Sequence, residues 1–241
     1  MIFWIGLLIS AFFLPLYFLF KLLGLKSLEK RYVFFITSSW ARFTLFTAGI
    51  KLAISGSENL PSKYAGIVVI SNHQGNFDIP VFMACLPFST GFVAKKELMK
   101  MPFLSAWMKA IDCLPIDRGN PRDSRERLIA RIKRTDKNPI FLFPEGTRSR
   151  STSMGPYRTG TLKLLFHNRI LVLPVTVNGS YNCYEKNNNI SGSVVSVVYH
   201  PLIDTSGYEL SDFDKFNDDL QRIIASPLHN PISNEEPGYL R

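Results

Sequence analysis

The sequence predicts an α/β fold: a mostly parallel central sheet flanked by helices, preceded by an N-terminal hydrophobic helical membrane anchor. Three observations carry this. Short apolar runs rich in β-branched residues recur after residue 51, amphipathic stretches separate them, and the first twenty residues hold no charged side chain. Strands alternating with helices argue for a parallel sheet covered on its faces.

In chain order, Met1 to Phe20 comes first, with seven aromatic residues among its twenty and Lys21 as the first charge. A stretch of about 20 apolar residues is long enough to cross a bilayer as a helix. It lacks a basic leader and a small-residue cleavage site, so it reads as a retained segment. Pro15 would kink such a helix. The cluster Lys21, Lys26, Lys30 and Arg31 follows, which on the positive-inside rule places the rest of the chain on the cytoplasmic face. Tyr32 to Ile50 carries only Arg42 as a charge but several Ser and Thr, and reads as a helix lying in the interface or packed under the domain. Residues 1–50 are thus read as a membrane-associated segment.

Residues 51–226 are read as one α/β domain. Strands are expected at Gly66–Ile70, Gly91–Ala94, Ile140–Phe143, Leu171–Val177 and Val194–Tyr199. Helices are expected at Ile79–Cys85, Leu104–Ile111, Pro121–Thr135, Gly160–His167 and Ser211–Ala225. The tail, 227–241, is rich in Pro, Asn and Glu and is expected to be loosely ordered.

Composition narrows the function classes. With 46% hydrophobic and 13% aromatic residues the chain is neither disordered nor collagen-like. Three widely spaced cysteines, without a C-x-x-C pair, argue against a disulfide framework or a cysteine-based zinc site. No His spacing suits a metal, so none is expected. A net charge of +9 suggests an anionic partner. No nucleic-acid-binding motif accompanies the charge, which leaves a phospholipid bilayer or a phosphorylated metabolite. The basic stretch 121–135 is either a solvated face or one that meets anionic headgroups.

Two short motifs carry chemistry. Ser71-Asn72-His73-Gln74-Gly75-Asn76-Phe77-Asp78 follows the first strong strand. On one continuous helix His73 and Asp78 would lie about 140° apart. A turn at Gly75-Asn76 is therefore needed to return the carboxylate to the imidazole. That contact would fix the tautomer and free the other ring nitrogen as a general base. An incidental His and Asp in one loop is the alternative. The second motif, Phe143-Pro144-Glu145-Gly146-Thr147-Arg148-Ser149-Arg150, offers two guanidinium groups and two hydroxyls around a flexible glycine. Such a set suits phosphate, or is a surface turn with solvated arginines.

Together the motifs resemble the glycerolipid acyltransferases, specifically the 1-acylglycerol-3-phosphate acyltransferases, which show four blocks in fixed order. Here these are Asn72-His73 through Asp78; Val93-Ala94-Lys95-Lys96-Glu97-Leu98 with Pro102-Phe103 and Pro115-Ile116-Asp117-Arg118; Phe143 through Ser149; and Val172-Leu173-Pro174-Val175. One departure is Tyr157-Arg158-Thr159-Gly160, where the family often has Phe-Lys-x-Gly, so Arg158 is not assigned a role.

The resemblance implies transfer of a fatty acyl group from acyl-CoA or acyl carrier protein, as co-substrate, to the sn-2 hydroxyl of lysophosphatidate, with no other cofactor. It implies His73 as base and Asp78 as its orienting partner. It assigns Glu145, Gly146, Thr147 and Arg148 to the acceptor, with Arg118 as a weaker phosphate contact. Lys95 and Lys96 are either a hold on the anionic thioester carrier or a solvated pair. No G-x-S-x-G elbow supplies a serine nucleophile. The competing readings are acylation of another lysolipid or of glycerol 3-phosphate, an acyl thioesterase, and a non-catalytic lipid-binding membrane protein.

Overall fold

The computed structural model describes residues 2–117, 119–134, 137–229 and 238–240. The chain opens with α1 (Ile2–Ala11), α2 (Leu14–Leu22) and α3 (Lys26–Thr47). Next come β1 (Lys51–Ser55), β2 (Val68–Ser71), α4 (Asp78–Cys85), β3 (Gly91–Lys95), α5 (Leu104–Ala110) and β4 (Leu114–Ile116). The remaining elements are α6 (Pro121–Ile132), β5 (Ile140–Leu142), α7 (Thr159–His167), β6 (Leu171–Asn178), β7 (Val194–Tyr199), β8 (Ile203–Asp204), α8 (Phe213–His229) and β9 (Gly238–Leu240).

Among the described residues the strands form one sheet in the order β4-β3-β5-β2-β6-β7-β1-β9, with β8 pairing β6. The sheet is parallel from β4 through β6 and again between β7 and β1. It is antiparallel at β6–β7, β6–β8 and β1–β9. The mostly parallel sheet is as expected. The antiparallel return at β7 and the short strands β1, β4, β8 and β9 are additions.

Alternation along β2 shows why the central strands are apolar throughout. Val69 packs into one core layer while Val68 and Ile70 pack into the other, so both faces are dry. One layer is closed by Leu128 and Ile132 of α6, Leu165 and Phe166 of α7, and Phe216 and Leu220 of α8. The other is closed by α3, α4 and α5. Helix α6 begins where Asn120 accepts a hydrogen bond from the Asp123 N–H (3.2 Å), with Pro121 following the cap. Its outward arginines lie on the surface, two of them paired with Glu126 and Asp123.

The N-terminal segment is divided into three helices. The apolar stretch breaks at Phe12-Phe13, and Pro15 sits in the first turn of α2, where its missing N–H is no loss. With 10 and 9 residues, α1 and α2 are each about half a bilayer core in length. Helix α3 has 22 residues but holds five charges. Among the described residues no helix is long and apolar enough to cross a membrane. These helices pack against the elements that follow residue 50. Tyr17 lies 6.4 Å from Trp107 of α5, ring to ring. Arg42 donates to the Ala84 carbonyl at the end of α4 (3.4 Å). Val33, Ile36 and Leu45 belong to the same core layer as the sheet. On the other side of these helices Phe12, Leu22, Phe35 and Phe46 are exposed.

The tail also differs. Helix α8 continues through 227–229, and Gly238–Leu240 adds an antiparallel strand beside β1. Residues 230–237 and 241, where a loose tail was expected, lie outside the described residues.

His200, beyond β7, is buried with its Nε2 2.8 Å from the Thr176 hydroxyl, which donates to the Ile224 carbonyl. Burial lowers its pKa from 6.5 to about 4. Below about pH 6.5 the unfolded chain takes up a proton that the folded imidazole refuses. Stability therefore falls between about pH 6.5 and 4, by at most about 3 kcal/mol, and this contribution is constant above that window. Thermal melts across this range should show a shallower acid slope for His200→Gln than for the wild type; equal slopes would remove His200 as the cause.

Candidate active site

Strand β2 lies between β5 and β6, in register from Val68↔Ile140 and Val68↔Val172. The loops leaving the carboxyl ends of β2 and β5 therefore emerge side by side, which brings the two motifs together. This is the usual position for reacting groups in parallel sheets.

The loop after β2 is held on both sides of its candidate catalytic residues. Asn72 bridges to β6, donating to the Val177 carbonyl (2.8 Å) and accepting from its N–H (2.9 Å). Gln74 is fully buried and accepts from the Gly179 N–H (2.9 Å). A turn is present one residue later than expected, at Asn76-Phe77, with the Asp78 N–H donating to the Gly75 carbonyl (3.4 Å), and Asp78 opens α4. Asp78 is 0% exposed. Its Oδ2 accepts from His73 Nδ1 (2.6 Å) and from the N–H groups of Gln74 (2.7 Å) and Gly75 (3.0 Å). Its Oδ1 accepts from the Ser180 hydroxyl. Four donors at a helix N-terminus thus hold both carboxylate oxygens in place.

The imidazole is held on two sides. Nδ1 takes the proton toward Asp78, as the carboxylate partner dictates. The ring stacks on Phe143, with centroids 4.0 Å apart and planes 16° from parallel. Nε2 has no protein partner among the described residues and is the nitrogen left for a substrate.

Glu145 departs from the expected acceptor contact. It is 4% exposed, and its two oxygens accept from the N–H groups of His73 and Gly155, each at 2.7 Å. Burial raises its pKa, and these two N–H groups work against that rise. It clamps the motif loops together, aided by the Ser149 and Arg150 N–H groups donating to the His73 and Gln74 carbonyls (2.7 and 3.1 Å). Gly146 adopts φ +67°, a conformation that favours glycine, and a Cβ there would lie 2.7 Å from Arg158 Nε. Arg158, unassigned from sequence, is thereby placed against the second motif. Thr147 is exposed and without a hydrogen bond to the described residues.

Arg148 is half-buried. Its Nη1 donates to the Asn76 side-chain carbonyl and pairs with Glu185 Oε1 (3.3 Å). Lys96 pairs with Asp117 on the surface, which raises the Lys96 pKa and lowers that of Asp117. Arg118, a sequence candidate, lies outside the described residues. Gln74, Ser180 and Glu185 were not singled out from sequence. Ser180 and Glu185 stand in the connection after β6, where no motif flags them.

A cavity of about 730 Å³ runs beside the dyad loop from Asn76 and Phe77. It is walled by apolar side chains of α3, α4 and α5, among them Trp40, Met83 and Trp107, with Ala94 of β3 also on its wall. The N-terminal helices thus form part of the site rather than an appendage to it.

The geometry agrees with the comparisons to known proteins. Residues 51–178 match the family model described as Acyltransferase. A 1-acyl-sn-glycerol-3-phosphate acyltransferase of Borreliella burgdorferi is 29% identical over 189 residues, covering 78% of this chain and 74% of that protein. A probable enzyme of the same name from Mycoplasma genitalium is 29% identical over 221 residues, 86% of this chain and 78% of its own. The chloroplastic enzyme BAT2 of Brassica napus is 30% identical over 155 residues, 63% of this chain and 44% of its length. The crystal structure of the 1-acyl-sn-glycerophosphate acyltransferase PlsC from Thermotoga maritima shares the fold, with a TM-score of 0.72 at 21% identity over 93% of this chain and 94% of that one. The family model spans more than half of the sequence, and the chain belongs to the acyltransferase family.

Proposed function

We propose that this protein transfers a fatty acyl group from acyl-CoA or acyl carrier protein to the sn-2 hydroxyl of 1-acylglycerol 3-phosphate, forming phosphatidate for phospholipid synthesis. The observation that carries this is the His73–Asp78 pair with Nε2 unengaged, in a loop whose Asn76 both binds Arg148 and lines an apolar cavity. His73 Nε2 accepts the proton of the hydroxyl as its oxygen attacks the thioester carbonyl. The tetrahedral intermediate collapses, the carbon–sulfur bond breaks, and the imidazolium returns its proton to the departing thiolate. Asp78 orients the ring and stabilises its charged form. The thioester is already activated, so no acyl-enzyme is required.

Arg148 binds the acceptor phosphate. The cavity takes the acyl chain, which explains its apolar walls. The exposed Phe12, Leu22, Phe35 and Phe46 rest in one leaflet, and Lys26, Lys30 and Arg31 meet anionic headgroups on the cytoplasmic face. Filling the cavity with Ala94→Phe should shift preference toward shorter chains, lowering kcat/KM for a palmitoyl relative to a lauroyl donor on the order of 10-fold or more. An unchanged ratio would place the chain elsewhere.

The acceptor is tested by competition. Vesicle-bound protein is given an acyl thioester with equal lysophosphatidate, glycerol 3-phosphate and lysophosphatidylcholine, and the products are identified by mass. Phosphatidate as the main product supports the reading; a dominant product from either other acceptor overturns it.

A further inference from the structure

We infer that Glu185 is a positioning residue that ties Arg148 to the catalytic turn, coupling phosphate recognition to the geometry of the base. The inference rests on the proposed role of Arg148. One oxygen makes the connection: Glu185 Oε1 accepts from the backbone N–H of Asn76 (2.7 Å) and pairs with Arg148 Nη1 (3.3 Å). Asn76 in turn takes a hydrogen bond from the same Nη1 on its side-chain carbonyl. The three residues form a closed triangle in the turn between His73 and Asp78.

Burial makes the arrangement specific. The Glu185 side chain is 4% exposed against 32% for Arg148. Glu185 Oε2 is buried without a hydrogen-bond partner, so this carboxylate leans on the contacts of Oε1. Its place is also sterically reserved, since a Cβ at Gly75 would collide with the Glu185 carboxylate. The contacts of the guanidinium with the described residues all leave from Nη1, so the Nε and Nη2 edge stays available for two parallel bonds to a phosphate. A flexible arginine is thereby held in one orientation before the acceptor arrives, which lowers the ordering cost of binding.

The test uses the full chain in vesicles and reads the tether without any acceptor. Phenylglyoxal modification of Arg148 is followed by peptide mass spectrometry, with the exposed Arg150 as internal reference. Glu185→Ala should label at Arg148 several-fold faster than wild type, and should raise the KM for lysophosphatidate about 10-fold with a smaller change in kcat. Combined with Arg148→Ala, it should add little further loss. Glu185→Gln keeps the oxygen and loses the charge, so it should fall between wild type and Glu185→Ala, and it carries the test if the alanine variant does not fold. Equal Arg148 labelling in wild type and the variants, or fully additive KM effects, would overturn the inference. Absence of lysophosphatidate-dependent turnover in the wild type counts against the proposed function alone, because the labelling still decides the tether.

Discussion

Replacing His73 with alanine should lower acyl transfer by at least about 10²–10⁴-fold, the usual contribution of a positioned general base. The fold should survive. The ring is 18% exposed, its backbone N–H remains bound to Glu145, and Asp78 keeps its bonds to Gln74, Gly75 and Ser180. Thiol release from an acyl thioester gives the rate, and a circular-dichroism melt reports the fold. A variant within 10-fold of wild type would mean that the proton leaves the acceptor by another route.

Asp78→Asn should have the second largest effect, and for a different reason. With its carbonyl toward His73, Gln74 and Gly75, the amide keeps those three acceptor contacts, and its NH₂ faces a Ser180 hydroxyl able to turn and accept. Geometry is thus largely retained while the negative charge is lost. The imidazolium formed during attack is then unstabilised, and kcat should fall on the order of 10²–10⁴-fold with little change in acceptor KM. A large rise in KM with kcat preserved would assign Asp78 to binding instead. Steady-state kinetics over a range of lysophosphatidate concentrations separates the two.

The parts of this site legible in the sequence were those written in short stretches of chain. The run Val68–Ile70 is apolar because both faces of β2 are buried, and that run located the dyad loop. The five-residue spacing of His73 and Asp78 demanded a turn, which lies at Asn76-Phe77, one residue beyond the Gly75-Asn76 expected. What was not legible depends on residues distant in sequence. Asn72 reaches Val177 across 105 positions, and Glu185 meets Arg148 and Asn76 from a loop with no motif. Glu145 read as a ligand because it stands beside Arg148. Only the fold shows its two oxygens taken by backbone N–H groups. The N-terminal segment was legible only in part. Its hydrophobicity suits a bilayer, but part of it serves the core, where Tyr17, Val33 and Ile36 are buried. Hydropathy alone does not separate a lipid-facing side from a protein-facing one.

The central claim is that His73 directs the thioester to an acceptor hydroxyl rather than to water. The most direct measurement is thiol release by wild-type protein from an acyl thioester in vesicles, with and without lysophosphatidate. Release that rises with acceptor and matches phosphatidate formed mole for mole is the predicted result. Equal release without acceptor would contradict it and make the protein a thioesterase.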